Sequence, residues 1–455
     1  MARATMENRY RRGHFEPLVD ERVDFDLPVQ GALPAGLDGL YARTGSNPLP
    51  GRPLADLHQL TTDGMVHAVR LQGGRCVWYR NRWVDSPDVA RVLGRPPPAA
   101  ADALVPEGAG NANLLTHAGR LYAFSEMALP YELSGSLETL GLCDFGGPMP
   151  AGSIAHPKLH PHSGELHTLA YHPDAPYLRH HVVDPRGRVI AQRILPVERP
   201  ALVHDFALGH DHILVFDLPV LFSEEAMFDG EPLPYRWHAG APARVGRIPI
   251  DGSMDAARWW DMPSCWVAHV AALREVDGCT EVDLIRRPSL FETDLRGDQE
   301  GEPQLVRCRL EAGRSEALVD VLDERMQDFP ARDPRTPAGA EGPLWTLGLA
   351  EDAGTCQPAG DRIIEHRLAQ DRHEAHPLPA GWLASELTFV PRHARAPLGD
   401  GWLLGFLHER STKAARFAVF DARAPGSEPV AMVDLPRRVP FGSHGCWLPD
   451  HPAEG

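Results

Sequence analysis

Thiol chemistry has little to work with in this chain: seven cysteines in 455 residues, an odd number, and no CxxC pair among them. Scattered at Cys76, Cys143, Cys265, Cys279, Cys308, Cys356 and Cys446, they argue against a disulfide framework and against a thiolate metal site, and a reducing cytoplasm is the compartment they fit. Long apolar runs are missing too, since no stretch approaches the roughly 20 residues that span a bilayer. The opening MARATMENRYRRGHFEPLVDERVDF is charged throughout and has no apolar core, so no signal peptide is expected. The expectation is a soluble, cytoplasmic protein, with peripheral membrane contact left open. There is no Lys/Arg stripe, and a formal charge of −17 excludes nucleic acid as a natural partner. GSNPLPG and DGSMD lack the context of a phosphate loop. No GxSxG occurs, and the SHG at 443–445 is no nucleophile elbow, which sets serine hydrolase chemistry aside.

What the chain does have is 43% hydrophobic residues, enough for a sizeable core, with 42 Gly and 44 Pro spread along its length. They punctuate short apolar segments such as LYARTG, RLYAFSEMALPYEL, HHVVDPRGRVIAQRILP, HILVFDLPVLF, EVDLIRR, WLLGFLHE and RFAVFDA. Short strands separated by turns such as LQGGR and VDPRGR predict an all-β protein. No WD or kelch-type repeat is present, so pattern alone leaves a sandwich or barrel open beside a propeller.

Four histidines stand inside such stretches: His156 in AHPKL, His204 in ALVHDFAL, His269 in SCWVAHVAAL and His444 in VPFGSHGCWL. They are too far apart for one helix or loop, and only the axis of a radially repeated fold could bring all four together. Met there, neutral imidazoles would suit iron, zinc or copper. Taken singly, each is an ordinary buried histidine.

Eight blocks in one order resemble the carotenoid cleavage oxygenase family, from near residue 25 to residue 448. They are LPAGLDGLYARTGSNP, HQLTTDGMVHAVRL, WYRNRWVDS, NANLLTHAGRLYAFSE, AHPKLHPHSGELHTLAYH, VHDFAL, ELTFVPR and LPRRVPFGSHGCW. The resemblance implies a seven-bladed β-propeller with a dome of loops and short helices over the metal-bearing face. The expected organisation is an N-terminal extension at 1–24 and one propeller oxygenase domain at 25–455, with the dome drawn from 221–243 and 328–344.

The same resemblance implies ferrous iron held by His156, His204, His269 and His444, with no catalytic side chain beyond the metal centre. Metal-bound histidines usually donate their second ring N–H to a carboxylate. By match of motif Glu126 would orient His204, Asp328 would orient His269, and Glu386 would orient His444. Two departures stand together. Asp328 replaces the family's usual Glu and is one methylene short, so a shift or a bridging water is expected, and Ala272 replaces an amide after the third histidine. His160, His162, His210 and His212 have HxH spacing but fall in expected turns and read as exposed. His58, His67 and Arg82 read as structural.

The implied activity is non-haem Fe(II)-dependent, O2-dependent cleavage of a C=C double bond in a conjugated apolar substrate, a carotenoid or apocarotenoid, giving two carbonyl products. A lignostilbene or phenylpropene substrate is the alternative. It is disfavoured because Ser125 stands where that branch, as aligned here, carries a phenol-binding Lys, and no matching Tyr follows NRWV. A metal-free propeller used for binding is the rival from another class, and retinoid-isomerase-like activity is a further one.

Overall fold

The computed structural model describes residues 12–52, 58–99, 107–293, 300–337, 340–349 and 359–450. Its strands follow one another as antiparallel hairpins, and the expected strand-like segments are strands. The first sheet runs Arg22–Phe25, Arg75–Trp83, Gly64–Gln72, Gly39–Ser46 and Gly445–Pro449 in spatial order. Four four-stranded sheets come next. They start at Asn113–His117, Lys158–Leu159, Ala207–Leu208 and Trp266–Val276, and each runs outward in chain order. A ten-stranded sheet completes the set and divides into two units. One holds Gln327–Arg332, Leu344–Leu349, Gly360–Arg367 and Arg372–Pro377. The other holds Thr388–Pro391, Gly401–Glu409, Ala415–Asp421 and Ala431–Asp434, with Val29–Gly31 added at its outer edge. The short strand Trp382–Ala384 bridges them. Counted this way the described residues form seven units, the all-β propeller expected from the sequence.

Burial explains why the strands read as they do. Leu166–Tyr171 and His212–Asp217 are buried at every position, because neighbouring sheets cover both of their faces. Outer strands such as Val189–Ile194 alternate between half-buried and exposed. The largest apolar cluster runs from Ile154 through Ile213, Val215 and Ile248 to Leu284, Leu305 and Leu344, which are packed between successive units. Truncating a fully buried leucine such as Leu214 to alanine should cost about 2–5 kcal/mol.

Both ends of the chain close the ring. Gly445–Pro449 pairs with Gly39–Ser46, and Val29–Gly31 pairs with Ala431–Asp434. Gly39 is where the closing strand passes nearest, since a Cβ there would lie 2.5 Å from the Leu448 carbonyl oxygen. Closure removes most of the exposed sheet edge and holds the inner strands rigidly around one axis. The boundary expected at residue 24/25 falls inside the strand Arg22–Phe25, which pairs with Arg75–Trp83.

The dome segments are less loop-like than their composition predicts. Val220–Phe222 pairs with Tyr235–Trp237, because VLF and YRW carry the β-branched and aromatic residues strands favour. The helix Glu224–Phe228 lies between them, capped by Ser223. The 328–344 segment opens within the strand Gln327–Arg332, where Pro330 sits at a bulge, and residues 338–339 lie outside the described residues. Among the described residues no helix is long and apolar enough to cross a membrane. The six described cysteines are free thiols, and Cys356 lies outside the described residues.

Candidate metal centre

Three of the four histidines stand just before an inner strand, and the fourth lies inside one. His156 and His204 precede Lys158–Leu159 and Ala207–Leu208, and His444 precedes Gly445–Pro449. His269 lies within Trp266–Val276, where register shifts at Val267/His269 and Val270/Ala272 re-aim the chain. The loop before His444 packs so tightly that a Cβ on Gly442 would lie 2.7 Å from the Thr44 carbonyl oxygen.

These placements bring the rings together. His156 lies 4.5 Å from His204, 5.2 Å from His269 and 4.4 Å from His444, between ring centroids. One ligand nitrogen from each of His156, His269 and His444 falls within 4.8 Å of the others. His204 is outside that limit, with its ring 5.6 Å from that of His269.

Carboxylates hold three of the rings. Glu126 Oε1 is 2.8 Å from His204 Nδ1, Asp328 Oδ1 is 2.5 Å from His269 Nδ1, and Glu386 Oε1 is 2.8 Å from His444 Nδ1. The shorter Asp328 therefore reaches His269 directly, by the shift that was one of the two expected outcomes and without a bridging water. The bulge between Asp328 and Ala331 carries it inward, with Phe329 in the left-handed region at φ 55°. Met127, after Glu126, is left-handed too at φ 56°. Such backbone costs about 1–3 kcal/mol in a non-glycine residue and persists where the surrounding structure enforces it.

The protonation pattern follows from these bonds. A carboxylate accepts, so Nδ1 donates, and in the neutral ring Nε2 of His204, His269 and His444 is left with a bare lone pair. His269 Nε2 and His444 Nε2 then face each other at 3.2 Å with no proton between them. His156 Nε2 is buried and has no hydrogen-bond partner among the described residues. Burial and the other three imidazoles hold the His156 pKa well below its usual value. Burial lowers that of His269 although Asp328 opposes it. For His204, burial is outweighed by Glu126, and the pKa is raised. Asp328, despite burial, is held down at about 2 by His269 and then Arg287. The donor set fits a borderline cation that takes neutral imidazoles.

One carboxylate that sequence reasoning passed over ties three ligand strands together. Asp205, next to His204, accepts from Phe206 N–H at 2.8 Å and from Val270 N–H at 2.7 Å, and Lys158 Nζ lies 2.7 Å from its Oδ1. Lys158 follows His156 by two positions and Val270 follows His269, so this buried acid clamps the segments of three histidines. The fourth has its own tie, as Glu386 Oε2 accepts from Gly445 N–H at 2.7 Å. The available signal was that Lys158 and Lys413 are the only lysines in the chain.

The four-histidine cluster opens on a cavity walled by Leu60, Leu202, Leu233, Trp266, Phe291 and Phe329, among others. His204, His269 and His444 reach it, as does Arg287. Ser125 does not. Its hydroxyl accepts from Ala109 and Gly110 N–H at 2.9 and 2.6 Å and is bound to the backbone. His58, read as structural, lines the cavity as well as capping the short helix Gln59–Thr61. His67 is buried against Tyr79, and Arg82 reaches Glu138 of the next unit at 3.6 Å. His160 and His212, expected to be exposed, are buried. Both ring nitrogens of His160 are bonded, to Ser163 N–H and the His210 carbonyl, and His212 sits between Asp211 and Glu275. His160 also groups with the exposed His162 and His210 at metal-ligand spacing, but both of its nitrogens are already engaged.

Comparison with known proteins bears on the whole chain. Residues 15–449 match the family model described as RPE65, retinal pigment epithelial membrane protein. A carotenoid cleavage oxygenase of Mycobacterium tuberculosis is 32% identical, over 98% of this chain and 98% of its own. Among solved structures, the Pseudomonas brassicacearum lignostilbene dioxygenase superposes with a TM-score of 0.86 at 24% identity, covering 97% of this chain and 98% of its own. Cobalt-substituted Synechocystis apocarotenoid oxygenase superposes with a TM-score of 0.83 at 22% identity, covering 95% and 96%. At those identities the two structures speak for the fold. With the family model spanning nearly the whole sequence and the mycobacterial relative matching end to end, the chain belongs to the RPE65/carotenoid cleavage oxygenase family.

Proposed function

We propose that this protein is a non-haem Fe(II)-dependent dioxygenase that cleaves one C=C double bond of a carotenoid or apocarotenoid with O2, giving two carbonyl products. The observation that carries the reading is the 3.2 Å approach of His269 Nε2 to His444 Nε2, with both Nδ1 atoms donating to carboxylates. Two lone pairs held that close repel, and a cation shared between them turns the repulsion into binding. His156, His204, His269 and His444 would hold the metal, and Glu126, Asp328 and Glu386 would fix three of the rings. Ferrous iron held by neutral imidazoles supplies O2 activation beside the substrate. The chain's own part is placement. Leu60, Leu202, Leu233, Trp266, Phe291 and Phe329 exclude water and align an extended apolar chain, and position decides which bond reacts. No acid or base side chain beyond the centre enters this scheme. A cytoplasmic setting belongs to the same reading, supported by the unpaired thiols.

Ser125, engaged by the backbone, supports the polyene over a phenolic stilbene. Product mass spectrometry after aerobic incubation of Fe(II)-loaded protein with an apocarotenal and 4-hydroxystilbene in parallel is the test. Aldehyde fragments from the polyene alone are expected. Benzaldehyde-type products alone would replace the substrate, and protein that takes up no iron and cleaves neither would leave a binding propeller.

A further inference from the structure

Arg287 is the cation of the cavity, and the metal centre uses it only in part, through Asp328. It ends the strand Cys279–Arg287, opposite Trp266 in register, with 9% of its side chain exposed. A guanidinium carries five N–H donors. Among the described residues it makes no hydrogen bond, and its nearest charge, Asp328 Oδ2, lies 3.7 Å from Nη2. Oδ1 of Asp328 is engaged by His269 and by Phe329 N–H at 2.8 Å, and Oδ2 faces Arg287 as an ion pair beyond hydrogen-bond distance. Glu126 is likewise taken by His204. The side chains of Trp266, Leu290 and Phe291, its neighbours in sheet and sequence on the cavity wall, offer no acceptor there. With one ion-pair partner and no hydrogen bond, the guanidinium keeps donors facing the cavity that an acceptor on a ligand can take.

We propose that Arg287 binds an oxygen acceptor at one end of the substrate, a carboxylate, carbonyl or phenolate, and so selects oxygenated conjugated molecules over hydrocarbons of the same shape. The inference rests on the reading of this cavity as the substrate site and narrows it to substrates with a polar terminus. The planar fork suits paired acceptor lone pairs. A site built to hydrogen-bond an oxygen also rejects the analogue that lacks it far more strongly than an apolar wall could.

The experiment is equilibrium binding to anaerobic, Fe(II)-loaded protein, followed by quenching of tryptophan emission, with metal content measured on every sample. Two probe pairs are used: an apocarotenoid acid with its methyl-terminated hydrocarbon counterpart, and 4-hydroxystilbene with stilbene. The wild type should prefer the oxygenated member of at least one pair by about 10- to 100-fold. Arg287→Leu should abolish that preference while leaving the hydrocarbon affinity of the iron-loaded protein unchanged, and Arg287→Lys should restore part of it. Equal affinities within both pairs for the wild type, or a preference that survives Arg287→Leu, would overturn the proposal. So would loss of iron together with hydrocarbon binding, since Arg287 would then serve only Asp328. If Arg287→Leu does not fold, an unaltered preference in Arg287→Lys decides against it. A preference confined to the stilbene pair, lost in Arg287→Leu, would uphold Arg287 and remove the polyene reading instead.

Discussion

Replacing Asp205 with asparagine should loosen the metal centre without touching any of its ligands. The carboxylate receives two backbone N–H groups and the Lys158 ammonium, all within 2.8 Å. An amide has one oxygen and one NH2, so whichever way it turns, a donor faces a donor, either Val270 N–H or Lys158. Hydrogen bonds to charged groups contribute about 1.5–3 kcal/mol, and breaking a buried ion pair from one side costs about 3–5 kcal/mol. The Lys158 side chain is 27% exposed and retains some hydration, which brings the expected loss to about 2–4 kcal/mol. For 455 residues the unfolding entropy is about 1 kcal/mol/K, so the melting temperature should fall by about 2–4 °C. Because three histidine-bearing segments share this clamp, Co(II) affinity of the apo-protein, titrated spectroscopically, should fall by about 10- to 100-fold, the range seen when a ligand's support is removed. Lys158→Met and the double variant complete a cycle, in which coupling above about 1 kcal/mol is expected. Asp205→Asn protein with wild-type melting and wild-type cobalt affinity would refute the clamp.

Two other expectations concern stability and reactivity. Burial holds His167 and His181 down to about 4, so between about 6.5 and 4 the unfolded chain takes up protons that the folded chain refuses. Stability should therefore fall as pH drops through that window, by about 1.4 kcal/mol per pH unit for each group at the steepest, and urea midpoints at pH 7.5, 6 and 5 would check it. A flat profile would mean that these imidazoles charge freely in the fold. Burial pushes the thiols of Cys76, Cys265, Cys308 and Cys446 up to about 12. They should resist a disulfide reagent at pH 8 until denaturant is added, and rapid reaction of four or more thiols in the native protein would contradict the packing.

The four histidines were legible because each interrupts an apolar strand pattern, and their convergence was legible only through the order of the motif blocks. Periodicity could not separate a propeller from a barrel, since ring closure is a property of which edges pair. Val29–Gly31 on Ala431–Asp434 and Gly445–Pro449 on Gly39–Ser46 join positions at opposite ends of the chain. Asp205, Lys158 and Arg287 went unread for a related reason. In the sequence they are an acid after a histidine, a lone lysine in a proline-flanked stretch and the second of two arginines at a strand end. Only the stacking of the third, fourth and fifth units puts Lys158, Asp205 and Val270 in contact, and only the bulge at Asp328 brings that acid towards Arg287. His160 and His212 were misjudged in the opposite sense, because turn-like composition said nothing of the neighbouring unit that buries them.

Asp328→Glu, which restores the residue usual in the family, should be harmful here. Asp328 Oδ1 already lies 2.5 Å from His269 Nδ1, and only 4% of the residue is exposed, so an added methylene has no free direction. Either the carboxylate rotates away, abandoning Phe329 N–H, or His269 is driven towards His444, whose Nε2 is already 3.2 Å from its own. Overpacking of this kind costs about 1–3 kcal/mol. The bulge and the left-handed Phe329 have set the backbone for the shorter acid, so the adjustment is built into residues 328–331 rather than into the side chain alone. Lower Co(II) affinity and a changed cobalt absorption envelope are expected in Asp328→Glu, while Asp328→Asn should lose affinity without the steric change in spectrum. If Asp328→Glu binds cobalt as tightly as wild type with the same spectrum, the pocket around His269 has slack that the 2.5 Å contact denies, and the account of this quadrant fails.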